Sequence, residues 1–388
     1  MHQEVDIIVV GAGLVGLSAT LACLQQGKRV VLINAKKPKV EKSETWDSRI
    51  YALTPATENW LKELGVWQHV DKARVNNIHA MHLWSDAAES PLILADSDAN
   101  LLKLGVIAEN CNLMHALRAK LDAASGLVVK TASCKSIENT SQHICLTLDD
   151  GTQICAKLLV AADGAHSFVR QQLNIATKLK AFNQTAIVAN FLAEKPHQDI
   201  ARQWFASHET LALLPLPERY VSIVWSLSTK KASELLTLTA VQLAKRVEAA
   251  SKEVLGELKL VSEVLSFELS QATATQLIAE RVVLIGDAAH QIHPMAGQGV
   301  NLGFRDVIEV QKLLTKAHAL QDIGEFAFLR HYERARKADI ACMNGLSSGL
   351  DGLFANEQGV VKKLTNFGMQ QLNKQRLIKR ILIKQAVA

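Results

Sequence analysis

Val5–Gly16 reads VDIIVVGAGLVG. Six residues of mostly β-branched apolar character run into Gly11, Gly13 and Gly16, spaced G-x-G-x-x-G. An unbroken apolar run predicts a strand buried on both faces, as in a parallel sheet. In this spacing Gly11 permits a tight turn, and Gly13, next to Ala12, lets the backbone approach a pyrophosphate. Gly16 lets a helix pack closely on the strand. Leu14–Gln26 follows as the predicted helix, with Gly27 at the position of a C-capping glycine. Arg29–Ile33 supplies a second strand, so the β-α-β unit is complete and the helix N-terminus is placed to receive phosphates.

Two later stretches extend this reading. Leu158–Arg170 reads LLVAADGAHSFVR, an apolar strand ending at Asp163 and Gly164. Ser167 and Asp163 there also fit local capping of a short helix. Leu284–Gly303 reads LIGDAAHQIHPMAGQGVNLG. Its Gly286 and Asp287 follow the apolar run Val282–Ile285, at the strand end where open α/β sheets bind ligands. Pro294–Asn301 then opens the next helix, with Gly297, Gln298, Gly299, Val300 and Asn301 in its first turn.

The three stretches in this order, with Asp47–Leu53 (DSRIYAL), Leu104–Asn110 and Ala212–Pro215 followed by Val224–Trp225, resemble the para-hydroxybenzoate hydroxylase type of flavoprotein. Within that group the chain is most similar to the UbiH/UbiF/VisC/Coq6 family of FAD-dependent ubiquinone-biosynthesis hydroxylases. The resemblance spans nearly the whole length. It implies an α/β fold, with a discontinuous Rossmann-like FAD-binding domain, a β-sheet substrate domain and C-terminal helices. Residues 1–75, 101–178 and 272–345 are assigned to the first, 76–100 and 179–271 to the second, and 346–388 to a basic helical segment.

The resemblance also implies chemistry. NAD(P)H reduces FAD, and a flavin C4a-hydroperoxide then hydroxylates the ring of a prenylated phenol with O2. Arg49 is expected beside the FAD pyrophosphate or ring, Asp163 and Gly164 in the FAD fold, Asp287 on the ribityl chain, and Asn301 at the ring. Pro294 is expected near the substrate hydroxyl, with His293 and Met295 bordering the reacting face. No second G-x-G-x-x-G follows a strand, so NAD(P)H is expected to bind transiently in a shared cleft. Asn34 stands where the family usually carries the acidic residue that grips the adenosine ribose. That departure keeps a second reading open, a non-catalytic or weakly FAD-binding subunit of a biosynthetic assembly. Another class of flavin aromatic hydroxylase is a third.

Leu211, Leu213, Leu216, Ile223 and Trp225 are candidates to line a prenyl pocket or to form core. His290 and His293 lack partners at the usual spacing of a metal site, so no metal is expected. The six cysteines contain no C-x-x-C pair and predict free thiols in a reducing, cytoplasmic compartment. No stretch approaches the roughly 20 apolar residues of a membrane span. From Gln358 onward there are seven basic residues and no acidic one, more than the whole chain's net +5. This tail is read either as a packed helix or as a basic amphipathic helix at the inner membrane's surface, beside other ubiquinone-biosynthesis proteins. Nothing points to nucleic acid.

Overall fold

The computed structural model describes residues 3–35, 45–85, 90–206, 209–292, 299–354 and 371–387. Two large sheets organise these residues. The first is parallel at its centre, in the order Val282–Leu284, Gln153–Ala161, Gln3–Val10, Val30–Asn34, Leu127–Thr131. Its strands come from three separate stretches of chain. Ile7, Ile8 and Val9 are fully buried, as the unbroken apolar run predicts for a central parallel strand.

The helix Leu14–Gln25 covers one face and is buried along nearly its whole length. Gly27 adopts φ +70° just beyond it, a conformation that costs glycine little. The helix Gly299–Lys316 packs against it, and Val15 reaches the Gly286 backbone between them.

The second sheet is almost wholly antiparallel. Its centre runs Leu265–Ala274, Thr177–Ala193, Tyr220–Ser228, Glu209–Pro215, Ile200–Ala206. Leu211–Leu216 and Val221–Leu227 read from sequence as apolar or alternating strands joined by a turn at Pro217–Tyr220, and this hairpin is present, with the Tyr220 amide donating to the Pro217 carbonyl at 3.2 Å. Val241–Leu255 reads from sequence as a helix, and the structure forms a shorter one, Ala240–Ala250. It starts on a Thr239–Gln242 capping box. It stops because Lys252 and Glu253 both turn into the left-handed region, at φ +55° and +52°.

Side-chain alternation gives this sheet two unlike faces. Leu211, Leu213, Ile223 and Trp225 point to one face and form a core with Leu243, Ala244 and Val247 of the covering helix. Leu216 belongs to a separate cluster with Ile78, Ile107 and Ile383. These five residues are core. The opposite face presents Gln203, Ala212, Val224, Val188 and Leu265, which stand directly opposite one another across five strands.

The expectation of six free thiols is corrected. Cys145 and Cys155 face each other across the antiparallel strands Ile144–Leu148 and Gln153–Ala161 and are joined as a disulfide. The hairpin between them, closed by Gly151 at φ +81°, brings the two Cα atoms to 4.1 Å. Cys23, Cys111, Cys134 and Cys342 remain free.

Candidate active site

Strand register assembles the site. Val10 lies opposite Ala161, and Ala161 lies opposite Leu284. The three strands therefore end together, and the turns that follow them emerge side by side. Those turns carry Gly11, Asp163 and Asp287, which are more than 120 residues apart in sequence.

Gly11 sits at φ +105°, and its amide donates to the Ile33 carbonyl at 2.8 Å. A Cβ on Gly11 would lie 2.2 Å from the Ala162 carbonyl oxygen, and one on Gly16 would lie 2.0 Å from the Gly11 carbonyl oxygen. Both positions therefore exclude any side chain. Gly13 is exposed, with nothing within 4 Å of its Cβ position. It is the N-cap of the Leu14–Gln25 helix, which has no side-chain cap and no acidic residue in its first turn. The first N–H groups of that helix and its positive dipole end are thus directed at open space beside Ala12 and Gly13.

Asp163 is half buried. One carboxylate oxygen accepts the Val169 amide at 3.1 Å, and the other is buried without a partner. Gly164 turns at φ +84°. Ser167 caps the short helix Phe168–Gln172 through the Arg170 amide. The buried Arg170 guanidinium donates to the carbonyls of Ala288 and Ala165, at 2.8 and 2.6 Å, and so clamps the second turn to the third. The local capping expected of this segment is present, and the second Asp163 oxygen is left as an unmatched acceptor.

Asp287 is exposed on the third turn. Even so, surrounding protein strips its side chain of water and raises its carboxyl above the ordinary value. Asp306 raises it further, and His290 opposes the rise. Tyr51, not singled out from sequence, lies within electrostatic reach of Arg49, Asp287 and Asp47. Burial raises its phenol; Arg49 works against this, and the two carboxylates add to it. Arg49 itself is exposed, and its amide donates to Asp47. This segment is held by Glu109, which is fully buried. Glu109 takes both the Nε and Nη2 of Arg74 and the Asp47 amide at 2.6–2.7 Å.

Beneath the third turn lies a buried charged network. Asp306 accepts the Gly286 amide at 2.8 Å, His290 Nε2 at 2.6 Å and Arg336 Nε at 2.6 Å. Its side chain is fully buried, and those of His290 and Arg336 nearly so. His290 is therefore a hydrogen-bond partner of Asp306. Among the described residues no three His, Cys, Asp or Glu side chains group as a metal site.

Gly299, Val300 and Asn301 form the first turn of the next helix, so their N–H groups have no acceptor four residues back within it. The Asn301 side-chain amide is engaged within the protein at both its oxygen and its nitrogen. Its oxygen accepts the Thr54 amide and Thr57 hydroxyl, and its nitrogen donates to the Ala52 carbonyl. Asn34 ends its strand at the rim of the phosphate turn, with its carbonyl accepting the Ala132 amide. His293, Pro294, Met295, Gly297 and Gln298 lie outside the described residues.

The donor set fits FAD. An uncapped helix start and two glycines with no room for a side chain suit a pyrophosphate, and the unmatched Asp163 oxygen suits a hydroxyl. The second sheet is tied to the segment that carries Asp47 and Arg49. Asn190, on the same face as Val188, donates its side-chain amide to the Asp47 carbonyl at 2.9 Å. Fold and site together define an FAD-dependent flavoprotein monooxygenase.

Comparison with known proteins narrows the class. A family model described as "FAD binding domain" matches residues 4–343. The human mitochondrial ubiquinone biosynthesis monooxygenase COQ6 is 32% identical over 422 residues, covering 95% of this chain and 89% of that protein. The 3-demethoxyubiquinol 3-hydroxylase of Escherichia coli is 29% identical, covering 100% and 99%. In fold, the chain is similar to p-nitrophenol 4-monooxygenase PnpA from Pseudomonas putida, at TM-score 0.82 and 16% identity over 99% of this chain and 98% of that one. The chain belongs to the family of FAD-dependent ubiquinone-biosynthesis hydroxylases.

Proposed function

We propose that the chain hydroxylates the aromatic ring of a prenylated phenol on the way to ubiquinone, using O2 and NAD(P)H. The observation that carries the reading is the register that ends three strands together, so that the turns bearing Gly11, Asp163 and Asp287 emerge side by side. Bound FAD would supply hydride acceptance and oxygen activation. The protein's own groups do the rest. The N–H groups from Ala12 to Gly16 cradle the pyrophosphate, and Asn34 reaches the adenosine ribose. Arg49 faces the pyrophosphate. Asp163 and Asp287 hold hydroxyls of the cofactor's chain. The first-turn N–H groups of Gly299, Val300 and Asn301 favour negative charge on the reduced ring.

Ala212, Val224 and Leu265 are half exposed on the face turned to the cleft, and Val188 lies between them. They exclude water from the reacting ring and receive the apolar part of the substrate. His293, Pro294 and Met295 border the substrate hydroxyl in this reading, which for them rests on family resemblance alone. NAD(P)H enters the same cleft transiently. A substrate dissolved in lipid places the enzyme at the membrane's edge, beside other enzymes of the pathway.

The test is reconstitution with excess FAD, desalting and an absorption spectrum. NAD(P)H oxidation with a prenylphenol in 18O2 follows, and the product is read by mass. Retained flavin and incorporation of one labelled oxygen support the reading. A colourless protein at high FAD would overturn it in favour of an accessory subunit.

A further inference from the structure

The C-terminal helix Arg376–Val387 is mounted with its apolar stripe outward. Leu377, Ile378, Ile381 and Leu382, spaced i, i+1, i+4, i+5, share one side of a helix. They are 75%, 43%, 57% and 38% exposed. The side turned to the protein carries Lys379 and Ile383. Lys379 is buried in an ion pair with Asp98 at 2.5 Å, and Ile383 enters the cluster of Ile78, Ala99 and Leu104. Just before the helix, Asn373 bonds the Ile93 amide and the Pro91 carbonyl, at 2.9 and 2.7 Å. A helix that merely completed a core would turn its leucines and isoleucines inward. Here a charge pair and one isoleucine hold it, and four large apolar side chains face outward.

Arg376, Arg380 and Lys384, all exposed, flank that stripe along one side of the helix. No acidic residue follows Glu357 in the chain. An apolar stripe flanked by arginine and lysine matches the acyl boundary and headgroups of an anionic bilayer, with the helix lying in the surface plane. No described helix is long and apolar enough to cross a membrane, so the contact is lateral. We infer that the outward face of Arg376–Val387 is a docking surface for anionic lipid. The inference deepens the membrane-edge placement proposed above, but it rests on the geometry of this helix and is independent of the reaction.

The test is sedimentation of the full chain with vesicles of phosphatidylcholine alone, or mixed with phosphatidylglycerol. Binding is expected to the mixed vesicles and to weaken with added salt. Leu377→Ser with Ile381→Ser is expected to abolish it. Arg380→Gln with Lys384→Gln is expected to weaken it about 25-fold, roughly fivefold per basic residue removed. The changed side chains are exposed, so native melting and flavin content are expected to stay unchanged. Failure of the unaltered chain to bind mixed vesicles would overturn the inference. So would equal binding to neutral vesicles, or wild-type binding by either double variant. A concentration-dependent dimer abolished by Ile381→Ser would assign the face to a second copy instead. None of these readouts requires turnover, so inactivity towards prenylphenols would leave the surface standing, and failure of binding would leave the chemistry standing.

Discussion

Replacing Arg336 by Met tests whether the buried network beneath Asp287 supports the site. The Asp306 side chain has no exposure, and one of its oxygens is matched by Arg336 Nε at 2.6 Å. Its other oxygen already serves Gly286 and His290. Methionine fills much of the arginine's stem volume but leaves that first oxygen bare in a dry setting. Removing one member of a buried pair costs about 3–5 kcal/mol, because the remaining charge keeps its desolvation penalty. Against a typical stability of about 5–15 kcal/mol this is a large fraction. The outer pair of Arg336 with Asp339 is partly exposed and adds little. The assay is urea unfolding followed by tryptophan fluorescence, with and without FAD. Arg336→Met is expected to lower the unfolding free energy by about 3–5 kcal/mol and to weaken FAD retention, since the turn carrying Asp287 is anchored to Asp306. Combining it with Asp306→Asn removes the charge while leaving an amide oxygen for Gly286, and should recover most of the loss. A loss below about 1 kcal/mol in the single variant, the range of an exposed pair, would refute the reasoning.

Three further outcomes follow from the site and its surroundings. Asn34→Glu exchanges a neutral hydrogen bond to the ribose for a charge-assisted one, a gain of about 1 kcal/mol and a roughly fivefold lower FAD Kd; an unchanged Kd by fluorescence titration counts against the ribose role of Asn34. Gly16→Ala places a methyl 2.0 Å from the Gly11 carbonyl oxygen and is expected to abolish flavin retention, so a normal flavin spectrum in that variant would show the turn and helix free to separate. Burial alone would raise the Asp98 carboxyl, but the Lys379 hydrogen bond, the Ala95 amide and the charges of Lys379 and Arg376 overcome it and hold the carboxyl below its ordinary 3.8. The contribution of a depressed carboxyl is present above its unfolded value and lost as pH falls through its folded one. Hydrogen exchange in Arg376–Val387 should therefore stay slow at about pH 5 and accelerate only below about pH 3.8, and acceleration at higher pH would show that another group controls docking.

The phosphate turn was legible in sequence because its signal is local. Strand, glycines and helix are contiguous, and each glycine answers a contact a few residues away or on the next strand. The two aspartates ending the later strands were legible for the same reason. Asp306 was not, since its partners Gly286, His290 and Arg336 meet it only after two helices pack on the sheet. Alternation along Leu211–Leu216 and Val221–Leu227 announced two faces, but nothing in the chain marks which one looks at the flavin cleft. The apolar residues most prominent in sequence went to the core, and the opposite face received Ala212 and Val224 between them. The Cys145–Cys155 bond was hidden because cross-strand pairing depends on hairpin register, which the turn sets. In the last helix an amphipathic pattern was visible, but the direction of its apolar stripe is decided by Lys379 and Asp98, residues 281 apart in the chain.

The order of strands in the first sheet has a consequence for how the protein is made. The strand Gln3–Val10 is made before its neighbour Gln153–Ala161, which follows about 150 residues later, and Val282–Leu284 closes that side of the central sheet about 280 residues after Gln3. Until then the glycine turn faces neither Ala162 nor the Gly286 turn. A nascent chain halted before residue 282 carries the complete phosphate motif and still lacks a cofactor site. Assembly of the flavin site therefore waits on Val282–Leu284, however early the glycine turn itself is made.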